Sequence, residues 1–139
     1  MPHRFISTPK VFQSSSPFSQ AVAATGARTI YIAGQVSQDE TGANVGIGDA
    51  AFQADRVLAN MQALVEADGA TMADVCRIVV YVTDRAFLAD VAAARRKYFA
   101  EPYPATTVLV VAGLAHPDWL VEIDGVATVG ADQTATRPA

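Results

Sequence analysis

Residues 104–127, with the sequence PATTVLVVAGLAHPDWLVEIDGVA, carry the pattern of two β-strands joined by a loop. The first strand is a run of β-branched and aliphatic residues that follows a proline. In the second, Val121 and Ile123 point to one face of a sheet and Glu122 and Asp124 to the other, because side chains alternate along a strand. Two acids on one face belong either to a solvent-exposed edge or to the wall of a site.

Upstream of this stretch, residues 50–68 have the period of an amphipathic helix. Asp49 precedes the helix as a candidate N-cap, and Gly69 follows it as a natural stop. Residues 75–82 are almost continuously apolar, which is typical of a strand covered on both faces. The apolar stripe predicted for the helix comprises Ala54, Val57, Leu58, Met61, Leu64 and Val65.

A second helix is predicted after Asp84, which is its candidate cap. Pro102 and Pro104 end it. Residues 95–97, Arg-Arg-Lys, form the basic cluster of this helix, and we expect a solvated face there, with Arg95 adding its aliphatic stem to the apolar stripe. The other members of that stripe are Phe87, Leu88, Val91, Tyr98 and Phe99.

Two apolar runs near the start of the chain, residues 18–24 and 29–37, are separated by a turn that contains Gly26. This arrangement predicts a β-hairpin. At the other end, residues 131–139 are small and polar, and we expect a flexible tail there. The predicted domain therefore spans residues 1–130.

Composition indicates one globular domain and excludes several functions. The chain has 139 residues, of which 51% are hydrophobic and 17% charged, and its formal net charge is −4. An acidic chain has no electrostatic reason to bind nucleic acid or an anionic membrane. One cysteine excludes an internal disulfide, and no run approaches ~20 apolar residues. We expect no metal, no membrane span, no secretory signal and a cytoplasmic location.

The predicted order is hairpin, helix, strand, helix and two strands. It indicates an α+β domain with a mixed sheet and two helices on one face. We expect the sheet to be six-stranded, with one strand more than this order contains. The other face also looks apolar, and an uncovered apolar face usually meets another copy of the chain. We therefore expect a homo-oligomer with sites in clefts between subunits. The residues assigned to this face are Tyr31, Val79, Tyr81, Val108 and Val110.

Four stretches in this order resemble the reactive intermediate deaminase family, also called Rid or YjgF. They are SPFSQAV at 16–22, IYIAGQV at 30–36, DVCRIVVYVTD at 74–84, and residues 104–127. The resemblance implies a chorismate-mutase-like trimer with three intersubunit clefts. Many members hydrolyse enamines and imines formed by amino-acid dehydratases, releasing ammonia with neither a metal nor an organic cofactor. It thus implies a homotrimer, a small-molecule ligand and no cofactor.

Some positions retain what the resemblance implies for the site. Glu122 matches the acid that the family uses to position and activate water, and a carboxyl with a raised pKa in a partly dry cleft suits that role. Gly34 and Gln35 match the segment whose backbone lines the cleft. Without the resemblance, Glu122 would be interpreted as a solvent-facing acid on an alternating strand.

Other positions depart from the family. Thr106 stands where the deaminases usually have the arginine that holds the substrate carboxylate, and a neutral hydroxyl cannot replace a planar charged fork. Gly113 replaces a second arginine, Phe18 a tyrosine and Ala92 an asparagine. We expect Phe18 and Thr106 to line a less polar pocket. An arginine from elsewhere, Arg28 or Arg85 for instance, would restore the charge.

The loop at residues 114–119 offers a further candidate, since Trp119, with His116, could close over the cleft as a ligand contact rather than lie on the surface. Cys76, in a predicted strand, is interpreted as a buried, inert thiol.

Three functions stay open. The first is a deaminase of the usual type, weak or inactive on 2-iminopropanoate because of Thr106. The second is a divergent enamine or imine hydrolase with a less acidic substrate. The third is a non-catalytic small-molecule binding or regulatory protein on the same trimer. Ribonucleases and translation inhibitors have also been described in the family, and the acidic charge argues against that role.

Overall fold

The computed structural model describes residues 3–12 and 14–130, so the predicted tail at 131–139 lies outside the described residues. Two helices and six strands follow one another along the chain. They are β1 (His3–Ile6), β2 (Ala21–Ala24), β3 (Arg28–Gln35), α1 (Ala50–Ala67), β4 (Val75–Val82), α2 (Leu88–Tyr98), β5 (Ala105–Val110) and β6 (Val121–Val129). Short 3₁₀ turns at Met72–Asp74 and Arg85–Phe87 precede β4 and α2.

The predicted mixed sheet is confirmed, but the six strands divide into sheets of four and two. In the larger sheet the order is β3-β6-β4-β5, with β4 and β5 parallel and the other pairs antiparallel. In the smaller one, β1 pairs with β2. The predicted hairpin of β2 with β3 is therefore wrong. β2 pairs instead with β1, a strand that was not predicted because it contains no continuous apolar run.

The turn before β3 explains why that strand joins β6. The amide of Ala27 donates to the Val129 carbonyl at 2.9 Å, and a Cβ at Gly26 would collide with the same carbonyl group. The turn therefore packs directly on the end of β6 and directs β3 along it, away from β2.

Helix α1 begins and ends where the sequence predicts. The Asp49 side chain accepts a hydrogen bond from the Phe52 amide at 3.0 Å, and Gly69 follows the helix with a φ of +79°. The apolar stripe is buried with one exception: Leu64 is 46% exposed. Gln53, absent from the prediction, is buried instead.

Helix α2 differs from the prediction in its cap and in one basic residue. Asp84 caps the 3₁₀ turn at Arg85–Phe87, one turn before the helix itself. Arg95 is only 5% exposed, because it lies one helical turn after Val91 on the buried side. The predicted solvated face is correct for Lys97, which pairs with Asp55 at 2.6 Å.

The core lies between the helices and one face of the four-stranded sheet, where Ile78, Val80 and Ile123 are fully buried. Strand register places Val108 and Val110 on this helix-covered side, opposite Val80 and Val82 of β4. Their assignment to the open face is therefore wrong. They remain 40% and 47% exposed because β5 is the edge strand.

The open face, away from the helices, is the side of the sheet on which Tyr31, Tyr81 and Glu122 lie. Tyr31 is 82% exposed, as expected for an uncovered face, whereas Val79 is buried. Two exposed β5 residues also lie on this side: Leu109, in register with Tyr81, and Thr107, in register with Val79.

Candidate functional site

The Glu122 side chain lies against the backbone of Gly34. The register of β3 on β6 shifts between Ile32 and Gln35, and this irregularity brings Gly34 beside Glu122. A Cβ built at Gly34 would overlap the Glu122 carboxylate. Glycine at this position thus leaves the space that the carboxylate occupies, so two residues predicted for the site, Gly34 and Glu122, come together. Gln35 is instead in register with Ile123, on the helix-covered side of the sheet.

Burial and charge both favour the protonated form of Glu122. Its side chain is half-buried, and desolvation raises the pKa of its carboxyl above the ordinary value, with a further rise from the negative charge of Asp124. A carboxyl that binds its proton more tightly than an ordinary glutamate is suited to general acid–base catalysis.

The Tyr81 hydroxyl donates to the Asp124 carboxylate at 2.8 Å. This hydrogen bond, followed by burial, raises the pKa of Tyr81. The pair was not identified from the sequence, although the alternation of β6 already places Asp124 on the same face as Glu122.

Phe18 and Thr106 belong to a second location. Ser19 forms an isolated parallel β-bridge with Ala105, and the Ser19 amide donates to the Pro104 carbonyl at 3.0 Å. These contacts place the Phe18 segment beside the start of β5. The Thr106 hydroxyl donates to the Pro104 carbonyl at 3.0 Å and is therefore already engaged.

A cavity of about 500 Å³ lies on the Phe18 side of the molecule. Phe18, Ser16, Ser19 and Tyr103 line it together with Glu101. Serine hydroxyls, Gln20 and Glu101 make this surface polar as well as aromatic, and Thr106 is not among its lining residues. The less polar pocket expected around Phe18 and Thr106 stays a prediction.

The two locations do not converge within one chain. Thr106 is in register with Ile78 of β4, whereas Glu122 is in register with Tyr81, three positions further along that strand. Residues 78 and 81 point to opposite faces of the sheet. One chain therefore carries two separate sets of predicted site residues.

Trp119 lies in a polar network between loops. Its indole N–H donates to the Asn44 side chain at 2.8 Å, and its ring lies 5.5 Å from that of His116. Gln53 supports the same region: it donates to the Asp118 carbonyl at 2.9 Å and accepts from the Leu120 amide at 2.8 Å. A role of Trp119 in ligand binding stays a prediction.

The arginines suggested as replacements lie elsewhere. Arg28 pairs with Asp68 at 2.7 Å, and Arg85 is exposed in its 3₁₀ turn. Arg95 is nearer to the Phe18 segment, since its guanidinium donates to the Pro17 carbonyl at 3.0 Å. Burial lowers the pKa of Arg95, with a smaller contribution from Arg96.

Cys76 is buried, as predicted, and its thiol donates to the Val126 carbonyl at 3.4 Å. Within residues 3–12 and 14–130, no three histidine, cysteine or acidic side chains gather as a metal site would require. Over the same residues, no helix is both long and apolar enough to cross a membrane.

Comparison with known proteins identifies the family. The family description Endoribonuclease L-PSP matches residues 8–129. The chain is 33% identical over 133 residues to a human protein named 2-iminobutanoate/2-iminopropanoate deaminase, covering 96% of this chain and 95% of the relative. A protein of the same name from Dermatophagoides farinae is 30% identical over 128 residues, covering 92% and 98%.

Solved structures agree with the sequence comparison. The Rid-family protein YyfB of Yersinia pestis superposes with a TM-score of 0.86 at 35% identity, covering 93% of this chain and all of that one. RidA from an Antarctic Psychrobacter species gives a TM-score of 0.67 at 32% identity, covering 91% and 99%. The chain belongs to the Rid (YjgF) family, whose fold it shares.

Proposed function

We propose that this protein is a divergent Rid-family hydrolase that deaminates an enamine or imine, with Glu122 as the group that activates water and moves protons. The observation that carries the proposal is the half-buried Glu122 carboxyl, which lies on Gly34 and whose pKa is raised by burial. Relatives named 2-iminobutanoate/2-iminopropanoate deaminase support the reaction class.

The division of the site residues supports a cleft between subunits. Glu122 and Gly34 lie on the open face, while Phe18 and Thr106 lie at another edge of the same chain. A second copy packed on the open face could bring the two sets together, and a homotrimer would form three such clefts. The net charge of −4 argues against RNA as the occupant.

Thr106 is proposed to weaken activity on 2-iminopropanoate. A charge-assisted hydrogen bond to a carboxylate contributes about 1.5–3 kcal/mol, and the Thr106 hydroxyl, engaged with the Pro104 carbonyl, cannot supply it. A substrate that is less acidic and more apolar fits Phe18 and Thr106 better.

The test is ammonia release from freshly generated 2-aminoacrylate, whose imine tautomer is 2-iminopropanoate. We expect weak release from the native protein, none above background from Glu122→Ala, and a gain from Thr106→Arg. The matched control is Ala51→Arg, which adds the same side chain on the exposed side of α1 and should give no gain. Native release that persists in Glu122→Ala would contradict the proposed role of Glu122.

A non-catalytic binding protein is the second candidate, favoured by the departures at Phe18 and Thr106. It predicts no ammonia release from any enamine or imine tested, together with a rise in melting temperature on adding small carboxylic or apolar ligands. Turnover abolished by Glu122→Ala would exclude this candidate.

A further inference from the structure

Tyr81 and Asp124 form a polar pair directly beside Glu122 on the open face. Tyr81 is the cross-strand partner of Glu122 in the β4–β6 register, yet its hydroxyl donates to Asp124, at 2.8 Å. Glu122 and Asp124 are two residues apart on β6 and share a face, which separates their Cα atoms by roughly 7 Å. The tyrosine therefore fixes the position of a second carboxylate next to the first.

The hydrogen bond distinguishes the two acids. The Tyr81 hydroxyl contacts the Asp124 carboxylate at 2.8 Å, on the face of the sheet where Glu122 also lies. A like charge nearby disfavours ionisation of Glu122, which has no comparable contact with Tyr81. Arg77 on β4, whose positive charge acts on Tyr81 in the opposite sense, and Tyr31 on β3 also lie on this face. The Cys76 thiol lies 3.8 Å from the Thr128 hydroxyl, further along the same side of β6.

We propose that Tyr81 and Asp124 are positioning residues for Glu122: the Tyr81 hydroxyl holds the Asp124 carboxylate beside Glu122, and this neighbouring charge favours the proton-carrying form of Glu122. The chemistry rests on the function proposed above. Glu122 gives its proton to the imine nitrogen, water adds to the carbon, and the carboxylate accepts a proton from that water. The proton then passes to nitrogen, the C–N bond breaks and ammonia leaves. As the carbonyl forms, the hydroxyl proton returns to Glu122.

The direct test is a carboxyl titration of Glu122 by NMR on full-length protein labelled with ¹³C at the glutamate side-chain carboxyl. The chain has four glutamates, so the loss of one resonance in Glu122→Gln assigns the signal. We expect the native midpoint to lie above the ordinary glutamate value. Asp124→Asn and Tyr81→Phe should both move it down, the first by removing the charge and the second by releasing the carboxylate that carries it.

Two matched controls separate this effect from general perturbation. Tyr31→Phe removes a hydroxyl from the same face, where Tyr31 is 82% exposed, and Asp90→Asn removes an exposed acid from α2. Neither should move the Glu122 midpoint. An ordinary midpoint in the native protein, or one unchanged in Asp124→Asn or in Tyr81→Phe, would overturn the inference. Tyr81→Phe keeps the ring and hence the packing, so it gives a result even if Asp124→Asn does not fold.

The titration needs no substrate, so it is independent of the proposed reaction. If the Glu122 midpoint moves down in both variants but the native protein releases no ammonia, the positioning role of Tyr81 and Asp124 is supported and the proposed deaminase activity is refuted. In an active protein, a second readout is the pH profile of kcat, which should fall as Glu122 loses its proton. That fall should begin at lower pH in Tyr81→Phe and Asp124→Asn, and an unmoved profile would overturn the inference.

Discussion

Gly34 determines where the Glu122 carboxylate can lie. In Gly34→Ala, the new Cβ would meet the end of a flexible side chain rather than backbone, so Glu122 can move aside. We therefore expect a stability loss of about 1 kcal/mol or less by urea unfolding. Because the carboxylate is displaced, any ammonia release should fall on the order of 100-fold.

The control for this change is Gly113→Ala, where an added Cβ meets no atom within 4 Å. It should leave both stability and turnover close to native. If Gly34→Ala retained native turnover, the observed position of the Glu122 carboxylate would not matter to the reaction.

Glu122 should also make stability depend on pH. Its pKa is raised in the folded protein, chiefly by burial, so the folded state binds the proton more tightly than the unfolded state. The stability contributed by this group is complete below the ordinary glutamate pKa and is lost as pH rises through the folded value. Urea midpoints of native protein and Glu122→Gln, measured between about pH 4 and 8, should therefore diverge in favour of the variant as pH rises. Parallel curves would contradict the raised pKa.

At the scale of elements, helix α1 carries one buried leucine and one exposed leucine. Leu58 is fully buried in the core, while Leu64 is 46% exposed although the periodicity includes both. We expect Leu58→Ala to cost about 2–5 kcal/mol of unfolding free energy and Leu64→Ala less than about 1 kcal/mol. Chemical denaturation of the two variants checks this, and equal losses would mean that Leu64 is covered in the assembled protein.

The elements themselves were largely predictable. The cap at Asp49, the stop at Gly69 and the bounds of β4 follow from local patterns, and the structure confirms them. The strand β1 was missed because its four residues contain no apolar run, and the pairing of β2 was wrong for the same reason.

At the scale of the whole molecule, the open face predicts self-association. Tyr31 projects from it and is 82% exposed in the isolated chain. We expect Tyr31→Glu to convert the proposed trimer into monomers, because a buried, unpaired charge at an interface is strongly unfavourable. Sedimentation velocity measures the change. The control is Phe52→Glu, on the exposed side of α1, which should leave the trimer intact. A monomeric native protein would contradict the proposed intersubunit site.

Sequence by itself determined the helices, the central strand, the family and the presence of Glu122 on an alternating strand, because periodicity, capping and motif order are local properties. Tertiary structure alone decided which strands pair, that Val108 lies on the helix side, and that Gly34 and Asp124 are the neighbours of Glu122. Strand register is set by contacts far apart in the chain, and a shift of one residue exchanges the two faces of a strand. No local pattern contains that information.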